Sequence, residues 1–280
     1  MKKTVVHVLL STACIILLSA CGGGGGGSSS SNPGAGGGGS IDSARARESI
    51  RLGVMSLSSL LISTVNNADS IINSAINNLN CQNLSASVSS NYLINNSPHF
   101  MNASGSALLY ANNTPVNCDY FYSGNFAVDR AEAQGVGTIS GNELNAAVNG
   151  RFTFTGDRGF LTRGDLFSGI YIADYFIING NGQIGSLQVQ GNQYADISGN
   201  VSNVRVSVYE AMNILNNVLY GGAINMGVAA SVIKDGYINA SSADCQNFTI
   251  HFNGSNLIDV TASCITPSQF RVNVDTGQIM

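Results

Sequence analysis

The chain has 280 residues, of which only 12 are basic and 16 acidic. Charged residues make up 10% of the sequence, far below the usual quarter, while asparagines alone number 33. A weakly charged, net acidic chain offers phosphates no electrostatic grip, so nucleic acid is excluded as an expected partner.

The N-terminus reads as a secretion signal. Lys2 and Lys3 form a positive front, Val5 to Leu18 is a short apolar run, and small residues follow. The run falls short of the roughly 20 apolar residues that a membrane-spanning helix needs. Leu18-Ser19-Ala20-Cys21 then matches the lipobox, and over its first 21 residues the chain resembles bacterial lipoproteins. That resemblance implies cleavage before Cys21, a diacylglyceryl thioether on its sulfur, and acylation of the new amino end. Several acyl chains anchor a protein stably where one binds reversibly. Residue 22 is Gly and not Asp. By resemblance to enterobacterial lipoproteins, this implies the outer membrane, with its periplasmic and outer faces both open. Loss of Lys2 and Lys3 leaves ten basic against sixteen acidic residues, a mature net charge of −6.

Gly22 to Ser40 is nearly all Gly and Ser, with one Asn32-Pro33 step. Such a segment buries no apolar surface and behaves as a flexible tether with a mean reach of roughly 25 Å. The expected organisation is therefore a signal peptide at 1–20, a lipidated cysteine and tether at 21–40, and a folded domain at 41–280. The last is long enough for a substantial core.

The first element of that domain is a long helix. Ile50, Val54, Leu57, Leu61, Val65, Ala68, Ile72, Ile76 and Leu79 follow 3–4 spacing, which marks one amphipathic face. Asp42 or Ser43 is placed to cap its start, and Asn66-Asn67 is its expected break. Strands follow. Arg151 to Thr155, Leu187 to Gln190 and Val204 to Val206 alternate, and Ile170 to Ile178 is a longer apolar run holding Asp174. A second helix is expected near 207–220, where Ser207-Val208-Tyr209-Glu210 fits a capping box and Gly221-Gly222 supplies a stop. Residues 223–233 fit helix or buried strand equally.

Four cysteines remain after Cys14 leaves with the signal and Cys21 takes lipid: Cys81, Cys118, Cys245 and Cys264. An even number in an oxidising compartment reads as two disulfides, with three possible pairings. Phe248 to Phe252 and Leu257 to Ala262 form a hairpin, and a Gly254-Ser255 type II′ turn places Cys245 opposite Cys264. That predicts Cys245–Cys264 and, by elimination, Cys81–Cys118. In this register the Phe248/Ile250/Phe252 face meets Asp259 and Thr261, a poor apolar match. An Asn253-Gly254 type I′ turn is the competing register. Cys81-Gln82-Asn83 recurs as Cys245-Gln246-Asn247, and His99-Phe100 as His251-Phe252, each pair followed by Gly-Ser, Leu and a closing cysteine. We read 81–118 and 245–264 as a diverged duplicated unit.

Short strands with Gly/Asn turns and no intervening helices indicate antiparallel pairing. The economical fold is α+β, with the long N-terminal helix packed on a curved antiparallel sheet. A β-solenoid is the alternative, though no strict period supports it.

Catalytic signatures are missing. Gly180-Asn181-Gly182-Gln183-Ile184-Gly185 has dinucleotide-site spacing, but a strand-like segment follows it where a helix is required, so it reads as a hairpin turn. Arg163-Gly164-Asp165 matches an integrin-binding tripeptide in a charged, loop-like stretch. His99 and His251 lie in no metal-binding pattern. Asp129 with Glu132, and Asp157 with Asp165, are carboxylate pairs at no defined distance. Asp174 is the acid to test first were an enzyme present. We expect no cofactor, no metal and no catalytic residue. Two function classes remain open. One is a non-catalytic lipoprotein that binds a protein partner, or supports the envelope, with surface adhesion as a variant. The other is a carrier of lipid or lipoprotein cargo, resembling the LolA/LolB half-barrel in architecture alone, with a hydrophobic ligand in a cavity between sheet and helix.

Overall fold

Strict alternation of buried and exposed residues builds this chain into sheet. The computed structural model describes residues 43–77, 84–94, 96–116, 128–142, 144–157, 174–211, 213 and 223–280, with side chains except at 62–77, 84–92, 107 and 224. The helices are α1 (Ser43–Asn77) and α2 (Met226–Ser231). The strands are β1 (Leu84–Ile94), β2 (Ser97–Ala111), β3 (Thr114–Pro115), β4 (Arg130–Gly141), β5 (Asn145–Gly156), β6 (Tyr175–Val189), β7 (Asn192–Gln193), β8 (Ile197–Ser207), β9 (Ile224–Asn225), β10 (Ile233–Ser242), β11 (Phe248–Phe252), β12 (Leu257–Ala262), β13 (Gln269–Asn273) and β14 (Gln278–Ile279).

The strands form one sheet in the order β14-β13-β12-β11-β10-β8-β6-β5-β4-β2-β1-β9, with β3 and β7 as short extra partners of β2 and β6. The sheet does not close on itself. This is a sheet-rich α+β fold and not a solenoid: neighbours pair antiparallel, and the exception is the parallel contact of β9 with β1. In β5, Ala146, Val148, Phe152 and Phe154 point into the core while Asn145, Ala147, Asn149 and Arg151 face out. Each fully buried Val or Phe contributes about 1.5–3 kcal/mol.

Residues 46–61 of α1 contribute buried side chains to the same core. Residues 52–61 are all buried, which goes beyond the single apolar stripe expected from sequence. Leu57 and Leu60 lie over a sheet position where β6 and β8 carry Gly182 and Gly199. A Cβ at Gly182 would stand 3.0 Å from Leu60 Cδ2 and 3.3 Å from Leu57 Cδ2. The missing side chains let the helix approach the sheet closely. The start of α1 is tied down by polar contacts: Arg45 Nε donates to Asp244 Oδ1 at 2.8 Å, and Arg47 donates to the Thr266 carbonyl.

Both loops that receive these arginines are held by the Cys245–Cys264 disulfide, with Cα atoms 5.5 Å apart. The predicted pairing stands, but the register that suggested it is corrected by one residue. Phe248 pairs with Ala262, Thr249 with Thr261 and Ile250 with Val260. The apolar faces now match, which resolves the conflict with Asp259 and Thr261. The cysteines are joined just outside the strands. Cys21, Cys81 and Cys118 lie outside the described residues.

The ambiguous segment 223–233 is both things at once. Ile224–Asn225 is a strand, Asn225 then caps α2 by accepting from the N–H groups of Gly227 and Val228, and β10 begins at Ile233. Helical backbone is also present at 208–211 and 213, started where Glu210 N donates to Ser207 Oγ at 3.4 Å. The remainder of the expected 207–220 helix lies outside the described residues. Cys81 to Asn83 and Asn117-Cys118 of the first repeat-like segment lie outside the described residues. His99-Phe100 opens β2 and Gly105-Ser106 is mid-strand, whereas His251-Phe252 ends β11 and Gly254-Ser255 forms the turn.

Candidate functional site

The sheet has two unlike faces. Its inner positions carry the apolar core, and its outer positions carry side-chain amides and hydroxyls in cross-strand rows. Ser106, Gln134, Arg151, Asn181, Asn200 and Asn239 stand opposite one another through successive strands, and Thr249, Thr261 and Gln269 prolong the row. Two residues along lies a second row: Ser104, Val136, Asn149, Gln183, Ser198 and Ser241. Cross-strand neighbours on one face of a sheet sit close enough to brace each other. Here Gln134 Nε2 donates to Ser106 Oγ at 3.3 Å, and Asn149 Nδ2 to Gln183 Oε1 at 3.5 Å. Ser198 Oγ and Ser241 Oγ are 3.3 Å apart, and Thr249 Oγ1 donates to Asn239 Oδ1 at 3.1 Å.

Two troughs run across the strands on this face. The first, of about 580 Å³, lies between the two rows, and its floor is the main chain of Gly105, Gly135, Gly150 and Gly182. The second, of about 430 Å³, lies on the far side of the second row and is bounded there by Ala147, Gly185 and Asp196. Val136, Asn149 and Gln183 belong to both and form the ridge between them. The charge inside the first trough is Arg151, whose Nη2 stands 3.6 Å from Glu132 Oε2. The lining mixes amides and hydroxyls with C–H surface, and Glu132 is shared between Arg151 and Arg130.

A charged patch sits farther along the same face. Tyr237, His251, Asp259 and Arg271 oppose one another across β10 to β13. The His251 ring stacks on Tyr237 with centroids 4.5 Å apart, and its Nε2 is 3.3 Å from Asp235 Oδ1. Burial pushes the Asp259 carboxyl up, but hydrogen bonds from Asn253 and Arg271 and the Arg271 charge outweigh it and hold the pKa below the usual carboxylate value. Among the described residues no cluster of three His, Cys, Asp or Glu side chains is placed to hold a metal. A catalytic reading would also need a nucleophile or acid aimed into a cleft, and this His251 patch is a salt-bridged strand surface.

The other residues singled out from sequence fall apart in space. Asp174 is not inside a strand: it is exposed at the bend before β6, where its N–H donates to Asp157 Oδ1 at 2.9 Å. Asp157 thereby accepts from the main chain that leads into β6, and Asp165 lies outside the described residues, as does Arg163-Gly164-Asp165. Asp129 accepts from Asn112 N at 2.7 Å while Glu132 faces Arg130 and Arg151, so they are not an acid pair. His99 is buried, with Nδ1 2.9 Å from the Ser97 carbonyl. Gly180 to Gly185 is not a hairpin turn. It lies within β6, paired on both sides with β5 and β8. The polar rows were missed, although a signal existed: Asn179-x-Asn181-x-Gln183, Ser198-x-Asn200-x-Ser202 and Asn239-x-Ser241 repeat polar residues at period two. No family model matches the chain, and no curated protein and no solved structure matches it.

Proposed function

We propose that this chain is a non-catalytic lipoprotein of the bacterial outer membrane, tethered through lipid on Cys21, which presents the polar outer face of its sheet to a partner or to other envelope components. The observation that carries this reading is the braced array of amides and hydroxyls across adjacent strands, in which the acid at the edge of the second trough, Asp196, is engaged by the Ser186 N–H. The Cys245–Cys264 disulfide fits an oxidising compartment. Among the described residues no helix is long and apolar enough to cross a membrane.

We propose also that the sheet curves around α1. Burial of every residue from 52 to 61 supports this, because a flat sheet covers one side of a helix only. Leu57 and Leu60 then occupy the concave side in van der Waals contact with the strands. That packing favours the partner-binding reading over the cargo carrier, which needs an open apolar cavity in the same place.

The test is substitution of the lipid-bearing cysteine. Cys21→Ala releases the protein from the outer-membrane fraction and abolishes incorporation of labelled palmitate. A Cys21→Ala protein that remains in that fraction, together with a native protein that takes no label, overturns the proposal. Protease shaving of intact cells assigns the face.

A further inference from the structure

We propose that the first trough, across β2, β4, β5 and β6, is a binding site for an uncharged polysaccharide; this rests on the partner-binding reading and names the partner's chemistry. Three features of the trough point to the ligand. Its walls pair hydrogen-bonding side chains that both donate and accept, Gln134 and Asn181 on one side, Asn149 and Gln183 on the other. Vicinal sugar hydroxyls have the same dual character, whereas a carboxylate or phosphate only accepts in its ionised form. The walls repeat at the strand spacing of about 4.8 Å over four strands, giving a track roughly 14 Å long. A polymer of repeated hydroxylated rings is suited to such a track.

Charge supplies the second feature. Glu132 stands 3.6 Å from the Arg151 guanidinium and is shared with Arg130 at 3.5 Å, so it offsets the Arg151 charge in part, and the net acidic chain repels an anionic polymer at a distance. A neutral ligand is the complement of a lining that is amide, hydroxyl and main chain apart from Arg151 and Val136. The third feature is Val136, which is 61% exposed in the middle of an otherwise polar row. Together with the glycine Cα floor it offers C–H surface to the apolar faces of sugar rings. The braces between Gln134 and Ser106, and between Asn149 and Gln183, orient the amides before any ligand arrives, which lowers the ordering cost of binding.

The experiment uses the full lipidated protein in nanodiscs. The probes are maltohexaose, cellohexaose and chitohexaose as neutral chains, hexagalacturonate as an anionic chain, and an uncharged Gly/Ser/Asn hexapeptide. Asn149→Trp fills both troughs from their shared ridge, Gln134→Ala and Asn181→Ala trim one wall, and Thr261→Trp is the control on the same face away from the troughs. The expected result is that at least one neutral hexasaccharide binds, with a Kd raised tenfold or more by Asn149→Trp and within twofold of native in Thr261→Trp. Should Asn149→Trp melt early, the same loss in the Gln134→Ala/Asn181→Ala pair replaces it. No binding by any neutral saccharide overturns the proposal, as does equal weakening by Asn149→Trp and Thr261→Trp. Tighter binding of hexagalacturonate overturns it in favour of an anion site at Arg151. Binding of the hexapeptide alone overturns it while leaving the partner-binding reading in place. Cleavage of a bound saccharide, seen by chromatography, sinks the non-catalytic reading and keeps the trough.

Discussion

Seating of α1 on the sheet makes a quantitative prediction about two residues. Leu60 is 5% exposed, and its Cδ2 lies 3.0 Å from where a Cβ on Gly182 would stand. Leu60→Ala removes buried methyls and leaves a cavity, costing about 3 kcal/mol within the usual 2–5 range. Gly182→Ala forces the Leu60 and Leu57 ends to retreat. Overpacking of that kind costs about 1–3 kcal/mol, partly offset by about 0.5–1 kcal/mol for replacing Gly within a strand, so its net cost is about 1 kcal/mol. In the double variant the new methyl enters the space that Leu60 vacated. The pair should then cost about 3 kcal/mol against about 4 for the sum, a coupling of about 1 kcal/mol. For a domain of this size that is roughly 2–4 °C in Tm. Urea unfolding of the mature chain, monitored by far-ultraviolet circular dichroism with m-values compared across the set, measures all three variants. Additivity within about 0.3 kcal/mol would show that Leu60 does not rest on Gly182, and the close seating of α1 would be refuted.

Two further outcomes follow from the C-terminal half. Replacing both Cys245 and Cys264 by Ala opens a loop closed at a separation of 19 residues, which costs about 3 kcal/mol in the chain-entropy model. It should also speed amide exchange at the start of α1, because Asp244 and Thr266 hold Arg45 and Arg47 there; a loss under about 1 kcal/mol with unchanged exchange contradicts this. The Asp259 pKa is depressed in the folded protein, so the carboxylate's contribution to stability is present above its ordinary value of 3.8 and is lost as pH falls through the lower folded value. Asp259→Asn should therefore flatten the acid limb of the stability profile below about pH 4 and leave its neutral limb parallel to the native one. Identical acid limbs in variant and native protein would count against the Asn253 and Arg271 contacts.

How much of this was legible in the sequence depends on the range of the interaction concerned. Alternation in Arg151 to Thr155, Leu187 to Gln190 and Leu257 to Ala262 is local, and all three segments lie in or across β5, β6 and β12. The Cys245–Cys264 pairing was legible because two strands and a short loop separate the cysteines, yet its register was displaced by one. Turn chemistry at Gly254-Ser255 points to one register and the match of Phe248 and Ile250 with Ala262 and Val260 to another, and burial of the apolar face decides register. Asp174 differs for a similar reason: the apolar run reads straight through a bend whose N–H donates to Asp157. Gly182 reads as part of a turn because glycine usually marks one. Its actual reason lies on α1, more than a hundred residues away, where no sequence window reaches. The polar rows escaped because each strand shows only two or three of their members, and the row exists only once six strands are in register.

A strand sends successive side chains to opposite faces, so the two surfaces of this sheet are separable by experiment. Gly150 and Gly182 face inward, where Phe152, Leu57 and Leu60 press against them, while Asn149, Arg151, Asn181 and Gln183 flank them on the outside. Leu60→Ala should therefore weaken the fold and leave the spacing of the outer rows intact, since that spacing is set by main-chain hydrogen bonds. Asn149→Ala should do the reverse, changing the ridge between the troughs at a stability cost within about 0.5 kcal/mol, as is usual for exposed positions. Binding residues more often ride on loops. Here they stand on central strands paired on both sides, which are the last parts of a fold to open. A ligand held by such rows meets a rigid template, and its selectivity must come from the fixed interval between rungs and not from adjustment of the protein.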